Sequence, residues 1–595
     1  MLKSSSALIN STGAIIAIVL LVVGVGVGYF VGGAGAPATP ITAIQTTTET
    51  KTVGPGETVT VTSTSTSTTT NTATRTVTKP TTITTTKTAE PTAPPAKYKD
   101  TITIGTVERI KTGLDPANAV GWMAVNTILN VGAGLVRYEP GTSDVIPDLA
   151  TGWTISGDGK TYTFSLRDDA KFSNGNQVTA KTFEFSWRRA LTLKGPPTFF
   201  LGLVVEGPDS VRAVDDYTFE VNLMHPFAPF LSLVAISAAP TYPVDPSVVS
   251  ADEFDEGVYI GAGPYQITNY VRDVSMMLTP NPHYFGEKPR TEKVVIETLS
   301  DSSALALSLR TKEIDMTLRG GISPSDVATF EENPEFEVRE PPVAFLRMLN
   351  LNTQLPPFDD VRTRRAVAAA IDRAEIVDTV FQGKVKELYT IVPRGIPGGI
   401  SYFKTIYGDR NLEESKRLLG EAGYSSSNKM RMDLYYDVTQ YGNMEKNVAT
   451  VLKLQIERTG MVDVVLNPVE SAKLSSLVVF VEKPGTVPSW LYGWWADYLD
   501  PDDYLYSFYG AFFSGILCIW VEDENMENLL NKERALVDFE SRLPILAEIQ
   551  ELGAELATTI PLWQINHQAL TVKGVEGIAL GASILVDYRN LAVPD

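Results

Sequence analysis

The chain has 595 residues, of which 43% are hydrophobic and 9% aromatic, and carries a formal net charge of −20. That length exceeds what a single core supports, so two or three folded units are expected, and the acidic balance argues against nucleic acid as a partner. Cys518 is the only cysteine, which excludes an intrachain disulfide. The histidines His225, His283 and His567 show no metal-ligand spacing, and no zinc-protease, nucleophile-elbow or phosphate-loop motif is present. Neither an enzyme nor a cofactor is therefore expected.

Residues 1–12 carry one charged side chain, Lys3, and are followed by GAIIAIVLLVVGVGVGYFVGG over residues 13–33. An uncharged stretch of this length suffices to cross a bilayer. With Lys3 and the amino terminus held inside, everything downstream faces out. An uncleaved anchor is the preferred reading; a secretory signal or a pilin-like signal is the alternative. No cysteine follows the apolar stretch, which excludes bacterial-type lipidation. Residues 34–97 are dominated by threonine, with serine and proline mixed in, and are expected to be a disordered stalk. As bare coil that segment spans roughly 40 Å, and its composition is also that of O-glycosylated stalks. No N-x-[ST] sequon lies beyond residue 33.

The folded part opens on the alternating strand Thr101–Ile104 and the turn Gly113-Leu114-Asp115-Pro116. Val120-Gly121-Trp122-Met123 then reads equally as an extended segment or as a helix start. In Trp153–Arg167 an Asp158-Gly159 turn joins two strands, with Tyr162, Phe164 and Leu166 on one face. Thr179 is a candidate N-cap, and Phe183, Trp187, Ala190 and Leu191 follow at helical spacing, which marks core. Gly261-Ala262-Gly263-Pro264-Tyr265 suits a crossover or hinge, because glycine permits backbone angles that other residues resist. Val294–Leu299, the helix Ala304–Arg310 capped by Ser302 or Ser303, and Ile314–Met316 form a βαβ unit. Beyond it come a strand at Phe345–Asn350, helices at Val361–Ile371 and Ile376–Phe381, and a further helix at Leu412–Leu419. Strand Met432–Tyr436, helix Asn443–Arg458 and strand Val462–Leu466 predict a parallel pair with a right-handed crossover.

The densest stretch is Ser489–Tyr509, SWLYGWWADYLDPDDYLYSFY. A carboxylate among aromatic rings is costly unless a positive charge meets it, and flat apolar faces beside it suit an ammonium ion. The alternative is a buried aromatic strand end running into an acidic loop. Gly493-Trp494-Trp495-Ala496-Asp497-Tyr498 resembles the ligand-pocket motif of family 5 extracytoplasmic solute-binding proteins, the peptide-binding components of ABC importers. The segments around Trp153–Arg167, the G-x-G-P-Y…Asn281-Pro282-His283-Tyr284 pair and Pro357-Phe358-Asp359-Asp360 resemble the family's other signatures. The combination of anchor and threonine stalk resembles archaeal surface-binding proteins.

The resemblance implies an α/β fold of the periplasmic-binding-protein type II: two lobes with a hinge and an additional inserted domain. Lobe I would comprise residues 98–145, 263–344 and 560–595, the inserted domain 146–262, and lobe II 345–559. Ile560-Pro561-Leu562-Trp563 would make the last crossing between lobes. By the same resemblance Asp497 binds a peptide amino group, beside Gly493, Trp494, Trp495, Ala496 and Tyr498, and Gly121 and Trp122 pair with the ligand backbone. Tyr441 stands where dipeptide-specific members carry a carboxylate-gripping arginine, which disfavours a dipeptide specialist. Oligosaccharide is the alternative ligand, stacked on Trp490, Trp494 or Trp495; a surface receptor or an enzyme on the same scaffold is a more distant one. The implied partners are an ABC permease in the membrane and, through it, ATPase subunits, with the binding protein itself a monomer.

Overall fold

In the computed structural model the described residues are 41–54, 57–70, 73–78, 82–87 and 98–595, apart from 237–239, 320, 440–441 and 584. Residues 13–33, read as an anchor, lie outside them; among the described residues no helix is long and apolar enough to cross a membrane. The chain divides into two compact units, 1–97 and 98–595. In the first, the strand Ile41–Gly54 pairs antiparallel with Glu57–Thr70, which also pairs with Ala73–Thr78 and Thr82–Lys87. Strands thus stand where the sequence reading places a disordered stalk. The β-branched threonines that dominate this stretch favour extended backbone.

Among its described residues the second unit contains three large sheets and the two-stranded pairing of Val136–Tyr138 with Val145–Pro147. In spatial order the first is Tyr265–Val271, Ser275–Pro280, Lys293–Thr298, Thr101–Thr106, Met316–Leu318, Ala569–Val572 and Phe336–Arg339. Lys293–Thr298 and Met316–Leu318 both run parallel to Thr101–Thr106 and flank it. They are joined by the helix Ser302–Arg310, whose N-cap is Asp301, one residue ahead of the serines expected in that role. A four-stranded antiparallel sheet is built from Ala150–Ile155, Thr161–Leu166, Val211–Ala213 and Thr218–Asn222. The helix Ala180–Leu193 covers it, with Phe183, Trp187, Ala190 and Leu191 buried, as the helical spacing predicts.

The third sheet orders Lys386–Glu387, Thr559–Asn566, Pro342–Leu351, Ser489–Trp495, Met430–Asp437 and Val462–Val469. Met430–Asp437 is parallel to both Val462–Val469 and Ser489–Trp495, so the carboxyl ends of three strands open on one edge. The helix Gly442–Glu457 connects the first two, as predicted. Because Thr559–Asn566 pairs with Pro342–Leu351 along most of its length, Ile560–Trp563 belong to this sheet. The passage to the first sheet falls later, between Asn566 and Ala569, and buried residues hold both ends of the segment in separate sheets.

Asp115 and the G-x-G-P-Y segment tie the residues that follow Thr101–Thr106 to the four-stranded sheet and its helix. The Asp115 carboxylate receives Arg189 of the helix Ala180–Leu193 in a buried pair at 2.6 Å, together with the backbone N–H groups of Ala117 and Asp255. Gly261 and Gly263 lie against the end of the helix Trp122–Val131, and a Cβ at either would come within 2.3 Å of Val131 or Gly132 backbone. What these glycines supply is therefore space, not the unusual backbone angle anticipated at a hinge. Asn281 of the partner motif donates to the Gly263 carbonyl at 2.9 Å.

Candidate ligand cleft

Two cavities meet at Asp497. One, of about 590 Å³, is enclosed by the end of strand Ser489–Trp495, the helices Ser471–Val478 and Ala511–Ile516, and the insert's short helix Thr198–Gly202. The other, of about 210 Å³, lies on the far side, against Gly121, Trp122, Val125, Leu233 and Ile236. Pro196, Phe200, Trp495 and Asp497 border both. The larger volume falls in the range of small-molecule sites, and its place at the carboxyl ends of parallel strands is where open α/β sheets take ligands. A third cavity, of about 60 Å³, is ringed by the ion pairs Arg137–Asp148 and Arg589–Asp587; it has room for a few waters only.

The sheet positions Trp494 and Trp495 by pairing them with Leu346 and Phe345 of the neighbouring strand. Trp494 packs edge-on against Phe508, and its indole N–H donates to Asp503 at 3.3 Å. Trp495 is 36% exposed. The Arg319 guanidinium lies over its ring at 5.1 Å and over Trp122 at 5.9 Å, and it pairs with Glu108 at 3.0 Å. Part of each indole surface is thus already covered by a cation of the protein itself. Gly121, at φ 88, caps the helix Trp122–Val131. The helix reading of this segment is therefore the one realised, and the expectation of a ligand-pairing strand at Trp122 is corrected. Gly121 still lines the smaller cavity, on a loop that Asp115 pins.

Asp497 sits just beyond the strand, on a turn held by its own backbone N–H, which donates to Asp503 at 3.2 Å. No salt bridge among the described residues involves Asp497 or Asp503. Burial raises the Asp497 carboxyl to about 7. Asp503, fully buried, is raised well above its ordinary range, first by burial and then by the neighbouring charge of Asp497. Two carboxyls this close cannot both ionise cheaply. The proton belongs on Asp503, which is fully buried, while Asp497 faces the cavities.

Tyr498 is corrected from wall to core. It is 4% exposed, its hydroxyl donates to Asp502 at 2.7 Å, and its ring meets Phe227 and Phe200 edge-on. Strand alternation and the turn after Trp495 point it away from the cleft. Trp490 is fully buried and so gives no stacking face to a sugar. Tyr441 lies outside the described residues. The sequence reading missed the aromatic rim: Phe199 and Phe200 meet Phe513 and Phe480 across the mouth of the larger cavity. Its one signal was Pro196-Pro197-Thr198-Phe199-Phe200, a pair of adjacent rings after a rigid turn. Asp437, at a strand end, and Asp503 were also missed; Asp437 lines the larger cavity. Among the described residues no cluster of candidate ligands for a metal is found. His567 is buried and held neutral, pushed down to about 4 by burial and by Arg319.

Residues 144–515 match the family model for bacterial extracellular solute-binding proteins, family 5 (middle). The chain is 28% identical over 503 residues to the dipeptide-binding protein DppE of Bacillus subtilis, covering 79% of this chain and 88% of that one. To the periplasmic oligopeptide-binding protein OppA of Haemophilus influenzae it is 26% identical over 490 residues, covering 78% and 88%. Among solved structures it is similar to DppA from Helicobacter pylori, described as an ABC transporter-associated periplasmic binding protein in complex with the peptide STSA. There the TM-score is 0.68, with 24% identity and coverage of 83% and 98%.

Proposed function

The chain belongs to the family 5 extracellular solute-binding proteins, and from that premise we propose that it captures peptides in the cleft around Asp497 for an ABC permease. The observation that carries this reading is a carboxylate without a cation, set at the junction of two apolar cavities. A peptide amino terminus supplies the missing charge, and Trp494, Trp495 and Phe200 provide the dry surroundings in which the pair is strong. The relatives whose names or titles specify dipeptides, oligopeptides or a bound peptide support the same assignment. Oligosaccharide is less well served, because a neutral sugar leaves Asp497 uncompensated and Trp490 is out of reach.

On this reading the sheet containing Asp497 forms one lobe and the seven-stranded sheet with its insert the other. Ligand closes the cleft between them by hinge motion. The apolar residues 13–33 tether the protein to the membrane with the binding domain outside, where a single copy meets the permease and, through it, the ATPase subunits.

Titration calorimetry of the full-length protein with a peptide, its N-acetyl derivative and the Asp497→Ala variant tests the proposal. Removing one partner of a buried charge pair costs roughly 3–5 kcal/mol, or about two to three orders of magnitude in affinity. Acetylation should cost wild type a similar amount and the variant little more, because both remove the same contact. Equal binding of acetylated and free peptide by wild type would sink the amino-terminal role.

A further inference from the structure

Among the described residues neither cavity has a lysine, arginine or histidine in its lining; the acidic side chains there are Asp437 and Asp497. The arginines around the cleft are already engaged: Arg319 with Glu108, Arg347 with Glu445, Arg534 with Asp502, and Arg542 with Asp500 and Glu533. Freeing one of them to meet a ligand would leave a carboxylate stranded, and for the Arg347, Arg534 and Arg542 pairs that carboxylate is buried. Asp437 is 3% exposed and accepts the backbone N–H and hydroxyl of Thr439 at 2.7 and 3.1 Å.

We infer that the cleft selects peptides by excluding their carboxylate: it takes an apolar amino-terminal segment whose carboxyl group is amidated or carried outside the cavities. The inference rests on the peptide reading above and narrows its ligand class. A ligand carboxylate inside the cleft would lose its hydration, find no cation among the described lining residues and face the Asp497 carboxylate. Apolar side chains, in contrast, meet Phe199, Phe345, Phe480, Phe513 and Leu474. A sphere of 590 Å³ is about 10 Å across, which about three extended residues fill. A dipeptide therefore keeps its carboxylate within the acidic cleft, whereas a pentapeptide carries it beyond.

The test uses the full-length protein and two Leu/Phe peptides, a dipeptide and a pentapeptide. Each is prepared as free acid, C-terminal amide and N-acetyl derivative, and affinities are measured by calorimetry at low salt. The dipeptide amide should bind on the order of tenfold tighter than its acid, as expected for like charges about 10 Å apart in a partly screened site. For the pentapeptide the acid and amide should agree within about threefold, and N-acetylation should cost about a hundredfold or more. A dipeptide acid that binds as tightly as its amide, with acetylation still harmful, overturns the carboxylate exclusion and leaves the amino-terminal reading standing. Acetylation without effect on either peptide overturns both.

Discussion

Within seven residues the chain builds two acidic sites with opposite fates. Asp500 and Asp502 turn away from the cleft and meet guanidinium groups: Arg542 grips Asp500 through two bonds of 2.6 and 2.8 Å, and Arg534 grips Asp502 at 2.7 and 3.0 Å. Burial pushes Asp502 up, but the charge and hydrogen bonds of Arg534 outweigh it and leave the carboxyl below its ordinary range. Glu533, also fully buried, is raised by burial and by Asp502, so two carboxylates, two guanidiniums and a neutral acid balance. Asp497 and Asp503, on the other side of the same turn, have no guanidinium. The difference separates two uses of charge: the first site is complete within the protein, and the second has no paired cation among the described residues, which is the feature the proposed peptide reading rests on.

The sharpest way to break this contrast is to remove a guanidinium from the completed site. Arg542→Ala strands Asp500 in a buried environment and should cost roughly 3–5 kcal/mol of folding stability, read from the denaturant midpoint. Peptide affinity of the protein that remains folded should change by less than about threefold. A comparable loss of affinity at unchanged stability would show the two sites to be one.

Asp497→Asn should act in the opposite sense. A carboxyl whose folded pKa is raised contributes stability below its unfolded value near 3.9 and loses it as pH climbs through the folded value, here about 7. The variant should therefore melt higher than wild type at pH 8 without ligand, by less at pH 5 and not at all as pH approaches 4, while binding peptide about a hundredfold more weakly. A lower melting temperature at pH 8 would mean that Asp497 is already paired. In wild type, affinity should fall as pH drops from 8 to 6, since protonation of Asp497 competes with the ligand ammonium.

Much of this was legible in sequence, for reasons that differ by element. The helix Ala180–Leu193 and the parallel pair Met430–Asp437 and Val462–Val469 follow from apolar periodicity, because one face of each must be buried. Asp497 stood out because a charge among aromatic rings needs an explanation. Tyr498 and Trp490 were misplaced because composition does not reveal where a turn redirects alternate side chains. The aromatic rim assembles from Phe199, Phe480 and Phe513, the first lying hundreds of positions before the other two, so no local pattern could announce it. The partition of the acidic run into paired and unpaired carboxylates depends on Arg534 and Arg542, which reach it from the helices Glu524–Arg534 and Phe539–Leu556.

The smallest expected effect is also the most discriminating for the unpaired site. Asp503 accepts the indole N–H of Trp494 and the backbone N–H of Asp497 through one oxygen, and its other oxygen is buried without a hydrogen-bond partner. The titratable groups that face it are Asp497, Asp502, Tyr504 and Tyr138, all acids or phenols, and the two N–H donors do not outweigh its burial. If it is a neutral acid, asparagine reproduces its shape, its acceptor and its lack of charge. Asp503→Asn should then bind peptide within about threefold of wild type and keep the same decline from pH 8 to 6. Asp503→Ala orphans two N–H donors and should cost about 1–3 kcal/mol in stability. An affinity change of tenfold or more in the asparagine variant at pH 7, or a pH profile displaced by a unit, would place the negative charge on Asp503 and reverse the assignment of the shared proton.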